Sequence, residues 1–569
     1  MSKQRRVLLS LALLGLCGVV ALFVACKAPT EVVSTASAGG TMVAQPTRTP
    51  LGADVKPIPG GVLQTSYSVD PPYYDPNKGP AGECHNPLNM IHAFLLNYHY
   101  GPNYPRWGFE FSNDGLAKSW DTSTDGLTYT FHLREGVKWQ NKPPLNGREL
   151  VASDVKWSIQ NIIDTPGSPR GEMLAAIDRM DTPDKYTLVV HLKEPRGSLL
   201  HLMANPYVEV LAPELKEKVE INSIQAWVGA GPFMLKEFVP STRMVFEKNP
   251  TYYRANEGLP YLDGTYRVNI TDSSTSLAAF RAEKIDIRGV GRLDLDSVKK
   301  TNPNIYCEEG EVSATAAALC MRNDKPPFND VRVRQAVSMA YDRQGAIDVL
   351  YYGYGIEQHG PIHTSSPWYL KDQGECDKYW KYDVEAAKKL LAEAGYPNGF
   401  ATELWTTAAW GASWMESAEL WVDRLAQVGI KATIKTQEIG GHYTTRLGKY
   451  EGLCFTYVWA GATIEPDNWL PGLFLPNGYV NYSAVNDPEL TRLIMAQQTA
   501  LTPEKRLEYL NEIQTRAACQ QYMINSVMGW GVTCYQPWVR NYRTHAADMS
   551  SGRYTEITWL TEQAPGRKK

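Results

Sequence analysis

Apolar and polar residues alternate without a break from Leu127 to Leu133. Leu127, Tyr129, Phe131 and Leu133 share one face, with Thr128, Thr130 and His132 on the other. A period of two predicts a half-buried strand, and Asp125-Gly126 supplies the turn before it. The pattern recurs at Tyr186, Leu188, Val190 and Leu192, after Asp184-Lys185. Farther along, the period lengthens to that of a helix. Val333, Ala336, Val337 and Ala340 share a face behind Asp330, a capping residue. Asp383 opens a second helix that buries Ala387, Leu390, Leu391 and Ala394 and stops at Gly395. Residues 401–436 read strand, helix, Gly429, strand. Met415, Ala418, Trp421, Val422 and Leu425 line that helix, and Ile430, Ala432 and Ile434 alternate after it. A unit of this length predicts a parallel strand pair. Thr502-Pro503-Glu504 starts a further helix over Leu507, Leu510 and Ile513. The body is therefore α/β, antiparallel in its first half and parallel in its second.

One apolar run is of another kind. Lys3, Arg5 and Arg6 precede Val7 to Ala25, and Cys26 follows Val24-Ala25. Basic, then apolar, then small residues before a cysteine is the order of a secretory signal that ends at a lipid-modified Cys26. An uncleaved anchor is the other reading, because about 18 apolar residues can span a bilayer. Both readings tether the body outside the cytoplasm. Residues 26–57 are rich in Ala, Thr, Pro and Gly and poor in large apolar groups, the composition of a flexible tether. Beyond the leader, no run is long enough to span a membrane.

Composition narrows the class further. The formal charge is −4, and the leader holds three cations and no acid, so the mature chain is near −7. Without a basic patch or tail, nucleic acid is not the expected partner. About 510 residues of body exceed one core and predict two or three lobes. After Cys26 come Cys84, Cys307, Cys320, Cys376, Cys454, Cys519 and Cys534, an odd number that leaves at least one unpaired. No C-x-x-C spacing points to zinc. Proximity along the chain makes Cys307 with Cys320, and Cys519 with Cys534, the expected bridges.

Several stretches resemble a known family. Leu116 to Trp120 reads LAKSW, and Asp125 to Trp139 reads DGLTYTFHLREGVKW. Ser153 to Ser158 (SDVKWS), Gly231-Pro232-Phe233 and Asn249 to Tyr253 (NPTYY) follow. So do Phe328 to Ala336 (FNDVRVRQA) and Ala386 to Tyr396 (AAKKLLAEAGY). In this order they resemble the family 5 extracellular solute-binding proteins, the peptide- and nickel-type receptors of ABC importers. The resemblance implies a periplasmic-binding-protein-like fold of class II: two large lobes with a hinged cleft, plus a small accessory lobe. It places the first lobe at 58–82, 206–315 and 529–569, the accessory lobe at 83–205 and the second lobe at 316–528, behind a signal peptide of residues 1–25. Such a body captures its ligand by hinge closure.

The family's ligand-defining stretch resembles Tyr457 to Leu470 (YVWAGATIEPDNWL). In peptide-binding members, an Asp shortly after the Trp pairs with the peptide's ammonium, since an unpaired buried charge is costly. Ala462 stands at that position here. Glu465 and Asp467 lie nearby, followed by Asn468. Either a neighbouring carboxylate replaces the Asp, or the ligand carries no ammonium. A turn and helix cap around Pro466 would also account for both acids. Aromatic rings crowd the same region: Trp405, Trp410, Trp414, Tyr457, Trp459 and Trp469. Stacked rings suit a sugar or an extended amphipathic solute. Trp421 reads instead as packing, and Trp469 fits either role. The expected ligand contacts are Tyr457, Trp459, Trp410, Trp414, Glu465, Asp467 and Asn468. Tyr351, Tyr352 and Tyr354 fit cleft lining and hinge packing equally.

His359 and His363 flank a Gly-Pro loop without an evident third ligand, so no metal or other cofactor is expected. No nucleophile elbow, zinc-protease motif or phosphate loop is present, and an enzyme is not expected. The reading is a lipid-anchored, extracytoplasmic, monomeric receptor that delivers a solute to the permease subunits of an ABC importer. Peptide is the leading expectation for the cargo and oligosaccharide the runner-up.

Overall fold

The computed structural model describes residues 56–566 apart from 80–81, 102–103, 105–107, 109, 167, 312–315, 365, 459–464 and 543–551. The leader, the tether and Cys26 lie outside the described residues, as does Trp459. No described helix is long and apolar enough to cross a membrane.

Four sheets of three strands or more carry the architecture. In the first, Val62–Tyr67 pairs in parallel with Gly264–Asn269, which continues antiparallel into Arg243–Lys248 and Phe233–Val239. The second is wholly antiparallel and contains both sequence-predicted alternating runs. Thr128–Leu133 and Thr187–Leu192 are adjacent, flanked by Ala117–Thr122 and Ile177–Asp184. Tyr129, Phe131 and Leu133 are buried while Thr128, Thr130 and His132 are half-exposed, as a period of two requires. The third sheet joins Ile287–Gly289 and Tyr306–Glu311 to the late strand Met528–Tyr535.

The fourth sheet runs in the order Ile430–Thr436, Phe400–Thr406, Leu453–Val458, Ala316–Met321, Met523–Asn525. Its first three strands are parallel, and the last two join antiparallel. The strand–helix–strand unit read from 401–436 is here, with helix Ala412–Gln427 crossing between parallel partners. Gly429 ends the connection at φ +87, and its carbonyl would lie 2.0 Å from a Cβ on Gly399. Both positions need glycine, one for its backbone angle and one for the close approach. Caps fall where the pattern put them. Asp330, Asp383 and Thr502 accept from the backbone N–H groups of Arg332, Ala386 and Lys505.

Cores follow the sheets. One apolar cluster draws on residues 93–230 and covers the antiparallel sheet. Two draw on residues 317–528. Two more combine residues 63–91, 224–307 and 532–564, so the chain's end packs against its beginning. Trp421 is buried and stacked on Tyr341 with ring centroids 3.8 Å apart, and Trp469 is a core residue as well.

The cysteine pairing differs from the expectation. Cys307 bonds Cys534, and Cys376 bonds Cys519, while Cys320 is a buried free thiol. Proximity in sequence misled because strand register decides. Tyr306–Glu311 and Met528–Tyr535 are antiparallel neighbours that set Cys307 opposite Cys534. Burial pushes the Cys320 thiol up to about 12. The histidines of the Gly-Pro loop are packed: His363 is buried, and His359 stacks on Trp380 and meets Glu357 at 2.7 Å. Among the described residues no cluster could hold a metal ion.

Candidate functional site

Open α/β sheets bind ligands beyond the carboxyl ends of their parallel strands, where the connecting loops diverge. In the fourth sheet that edge is aromatic. Phe400–Thr406 runs out into Thr407 and the short turn Ala408–Trp410, and Leu453–Val458 ends at Tyr457 and Val458. Trp410 lies 4.7 Å from Tyr457 and 4.6 Å from Trp414, centroid to centroid, and Trp414 lies 4.3 Å from Tyr457. Three of the sequence-predicted contacts are thus brought together.

Their roles divide by depth. Trp410 and Tyr457 are half-buried and keep ring surface at the edge. Trp414 is only 5% exposed. It stacks on Phe455 at 4.3 Å and donates its indole N–H to Thr406 Oγ1 at 2.8 Å. It is the floor on which the other two rest, rather than a surface ring. Helix Ile439–Thr445 adds His442 edge-on to Trp410 at 5.1 Å and the exposed Tyr443 at 6.3 Å. Buried His442 hydrogen-bonds Thr456 Oγ1 at 3.1 Å, and the Arg446 guanidinium donates to the same oxygen. Burial, reinforced by Arg446, pushes His442 down to about 4, so it is neutral at physiological pH. Arg446 lies 4.4 Å from the Tyr443 centroid and 4.8 Å from that of Tyr482. His442, Tyr443 and Arg446 carry no sequence signal, because only the fold sets their helix against Trp410.

The acids occupy another environment. Glu465 caps the turn Pro466–Asn468, accepting from the Asp467 N–H at 2.9 Å. Both of its carboxylate oxygens accept from the Arg506 guanidinium. Asp467 accepts from the Ser198 hydroxyl and from the Gln497 amide, and Arg196 lies 3.5 Å away. Arg506 also donates to Gln497 Oε1 at 3.0 Å. Burial alone would raise Asp467, but Arg196 and Arg506 hold it below the ordinary carboxylate value. Glu465, Asp467 and Arg506 are each at most 3% exposed. The result is a closed ionic knot joining residues 196–198 to 465–506. Asp467 and Asn468 also border a cavity of about 430 Å³ shared with Arg196, Leu475 and Tyr479.

The tyrosines after the helix Arg343–Tyr351 separate in the same way. Tyr351 packs on a core, whereas Tyr352 and Tyr354 are exposed, with the Arg292 guanidinium 3.4 Å from the Tyr354 ring centroid.

Separate mixed sheets, an aromatic edge at the ends of parallel strands and a chain that returns to its starting core define the class: a periplasmic-binding-protein-type receptor. The chain belongs to the bacterial extracellular solute-binding proteins, family 5, whose middle region matches residues 113–481. Heme-binding protein A of Haemophilus influenzae is 28% identical over 75% of this chain and 81% of its own. The glutathione-binding protein GsiB of Escherichia coli K12 is 28% identical over 68% and 78%. Among solved structures, the ABC transporter-associated periplasmic binding protein DppA from Helicobacter pylori, in complex with the peptide STSA, superposes with a TM-score of 0.74. It is 25% identical and covers 88% of this chain and 98% of its own. The protein is therefore the substrate-binding component of an ABC importer, with the two-lobed fold of its family, and it acts outside the cytoplasm. The family's matches are transport receptors rather than enzymes.

Proposed function

We propose that the captured solute is peptide-like and amphipathic, and that it packs along Trp410 and Tyr457. The carrying observation is the pair of half-buried rings at the carboxyl ends of parallel strands, supported from below by Trp414. A peptide complex and a glutathione-binding protein among the relatives support the cargo class. Glu465 and Asp467 are engaged by Arg506, Ser198 and Gln497, so this reading does not use them for a free ammonium. It agrees with Ala462 at the position where peptide-binding members are expected to hold an acid. An oligosaccharide is the second reading, because the same ring faces stack on sugars.

Lobe boundaries near residues 83, 205, 315 and 528 belong to this proposal, together with closure about the connecting segments. So do a diacylglycerol on Cys26 that holds a monomeric receptor at the membrane, and Trp459 and Asn468 as further ligand contacts.

Calorimetric titration with mixed short peptides and with short β-linked glucans tests the cargo. Heat is expected with the peptides, and heat with the glucans alone would transfer the reading to sugar. Mass spectrometry of whatever co-purifies with the protein checks the answer without a chosen probe.

A further inference from the structure

The first sheet contains a further parallel pair, and a cavity of about 260 Å³ opens beside it. Thr65 and Ser66, next to the carboxyl end of Val62–Tyr67, line the cavity. Arg267, the register partner of Thr65, reaches it from the neighbouring strand. Arg288 enters from Ile287–Gly289, and Ser276 from helix Ser273–Arg281. The cavity thus has two guanidiniums and several hydroxyls, and no Asp or Glu among the described residues that line it.

Neither arginine is matched by a carboxylate at contact distance among the described residues. Arg267 is half-buried, and its Nη1 is shielded from solvent with no hydrogen-bond acceptor. The Tyr67 ring lies 5.8 Å from the guanidinium carbon. The nearby Asp70 accepts instead from the Ser241 N–H and hydroxyl. Arg288 donates to the Ser273 carbonyl at 2.6 Å and to the Gly289 carbonyl at 3.1 Å, while its buried Nε has no acceptor. Burial pushes both groups below the ordinary arginine value, with Asp294 only partly offsetting this at Arg288. A fold that leaves buried guanidinium N–H groups without acceptors carries a penalty that an arriving oxyanion would remove. Planar forks match carboxylate and phosphate bidentately, and of the two a carboxylate is the group that a peptide-like cargo carries.

We propose that this cavity receives a carboxylate of the transported solute, with Arg267 and Arg288 as its cationic partners. The cargo is then an acid. The assignment rests on the solute-capture reading above and adds a charge requirement to it.

The purified full chain is titrated with succinate against chloride at equal ionic strength, with Tm as the readout. The wild type, Arg267→Gln, Arg288→Gln and the charge-retaining Arg267→Lys are compared. Succinate is expected to raise Tm in the wild type and in Arg267→Lys. Each glutamine variant is expected to need about tenfold more succinate or to show no rise, as loss of one charge-assisted hydrogen bond implies. No rise in the wild type, or equal rises in all four proteins, overturns the proposal. A parallel titration uses mixed short peptides as free acids and as carboxyl amides. If acids and amides bind alike in every variant, the arginine cavity loses its role while solute capture stands. If no peptide binds the wild type, the peptide reading falls, and the succinate series still decides the cavity.

Discussion

Arg506 and Arg267 are both cations withdrawn from water, and they are treated oppositely. Arg506 meets both oxygens of Glu465, has Asp467 near it and donates its Nε to Gln497. Arg267 has an aromatic ring, a cavity beside it and an N–H without an acceptor among the described residues. The first arrangement is complete in the folded chain and serves the fold. The second leaves an N–H for the proposed carboxylate. Abundance of charge therefore distinguishes the two regions less well than completeness of pairing does. The acids that sequence placed nearest the ligand belong to the complete region.

The sharpest way to break the contrast is to remove each cation in turn. Arg506→Met strands Glu465 as a buried, unpaired carboxylate and should cost about 3–5 kcal/mol of stability in urea denaturation. Arg267→Met strands nothing, so it should lie within about 1 kcal/mol of the wild type or be more stable. Equal losses would mean that Arg267 has an internal partner after all. Next in size is the disulfide beside the arginine cavity. Arg288 is the register partner of Cys534, which is bonded to Cys307. Replacing both cysteines by serine should cost about 2–5 kcal/mol. It should also blunt the succinate response, because the strand that aims Arg288 is loosened.

Trp410→Ala should leave Tm nearly unchanged and weaken the bound solute by on the order of 1 kcal/mol, read by calorimetry. Trp414→Ala should do the reverse and lower Tm first, since that ring is buried. A further test concerns pH. His442 titrates near 4 in the fold, whereas an unfolded histidine takes its proton near 6.5. Between those values the unfolded chain holds more protons, so stability should fall as pH drops from about 6.5 to about 4. His442→Gln should flatten that part of a Tm–pH profile. Asp467, held below its ordinary value, adds its own loss only at lower pH, as it becomes protonated.

Local order was readable from the chain wherever the physics is local. Alternation at 127–133 and 186–192 became paired strands, and Asp330, Asp383 and Thr502 became caps. The strand–helix–strand unit and its Gly429 stop were recoverable because the alternation of Ile430, Ala432 and Ile434 and the apolar face of the helix are both local signals. The aromatic edge was half legible. The residues were named, but composition cannot tell a floor such as Trp414 from a surface such as Trp410. Partners far apart in sequence were not legible. Ser198 reaches Asp467 across 269 positions, and Arg506 reaches Glu465 across 41. Arg267 and Arg288 looked like two ordinary charges in a near-balanced composition, because what singles them out is the lack of a carboxylate partner among the described residues. The cysteines failed for the same reason, since register between distant strands decides which sulfurs meet.

The bond between Cys307 and Cys534 spans 227 positions, and everything between them hangs from one clasp. Residues 307–534 are thereby a covalent ring, with the Cys376–Cys519 bond as a chord across it. A protease that nicks any loop within the ring cannot release a fragment while the clasp is oxidised. A receptor exposed to such enzymes outside the cell can thus be cut once and still hold together.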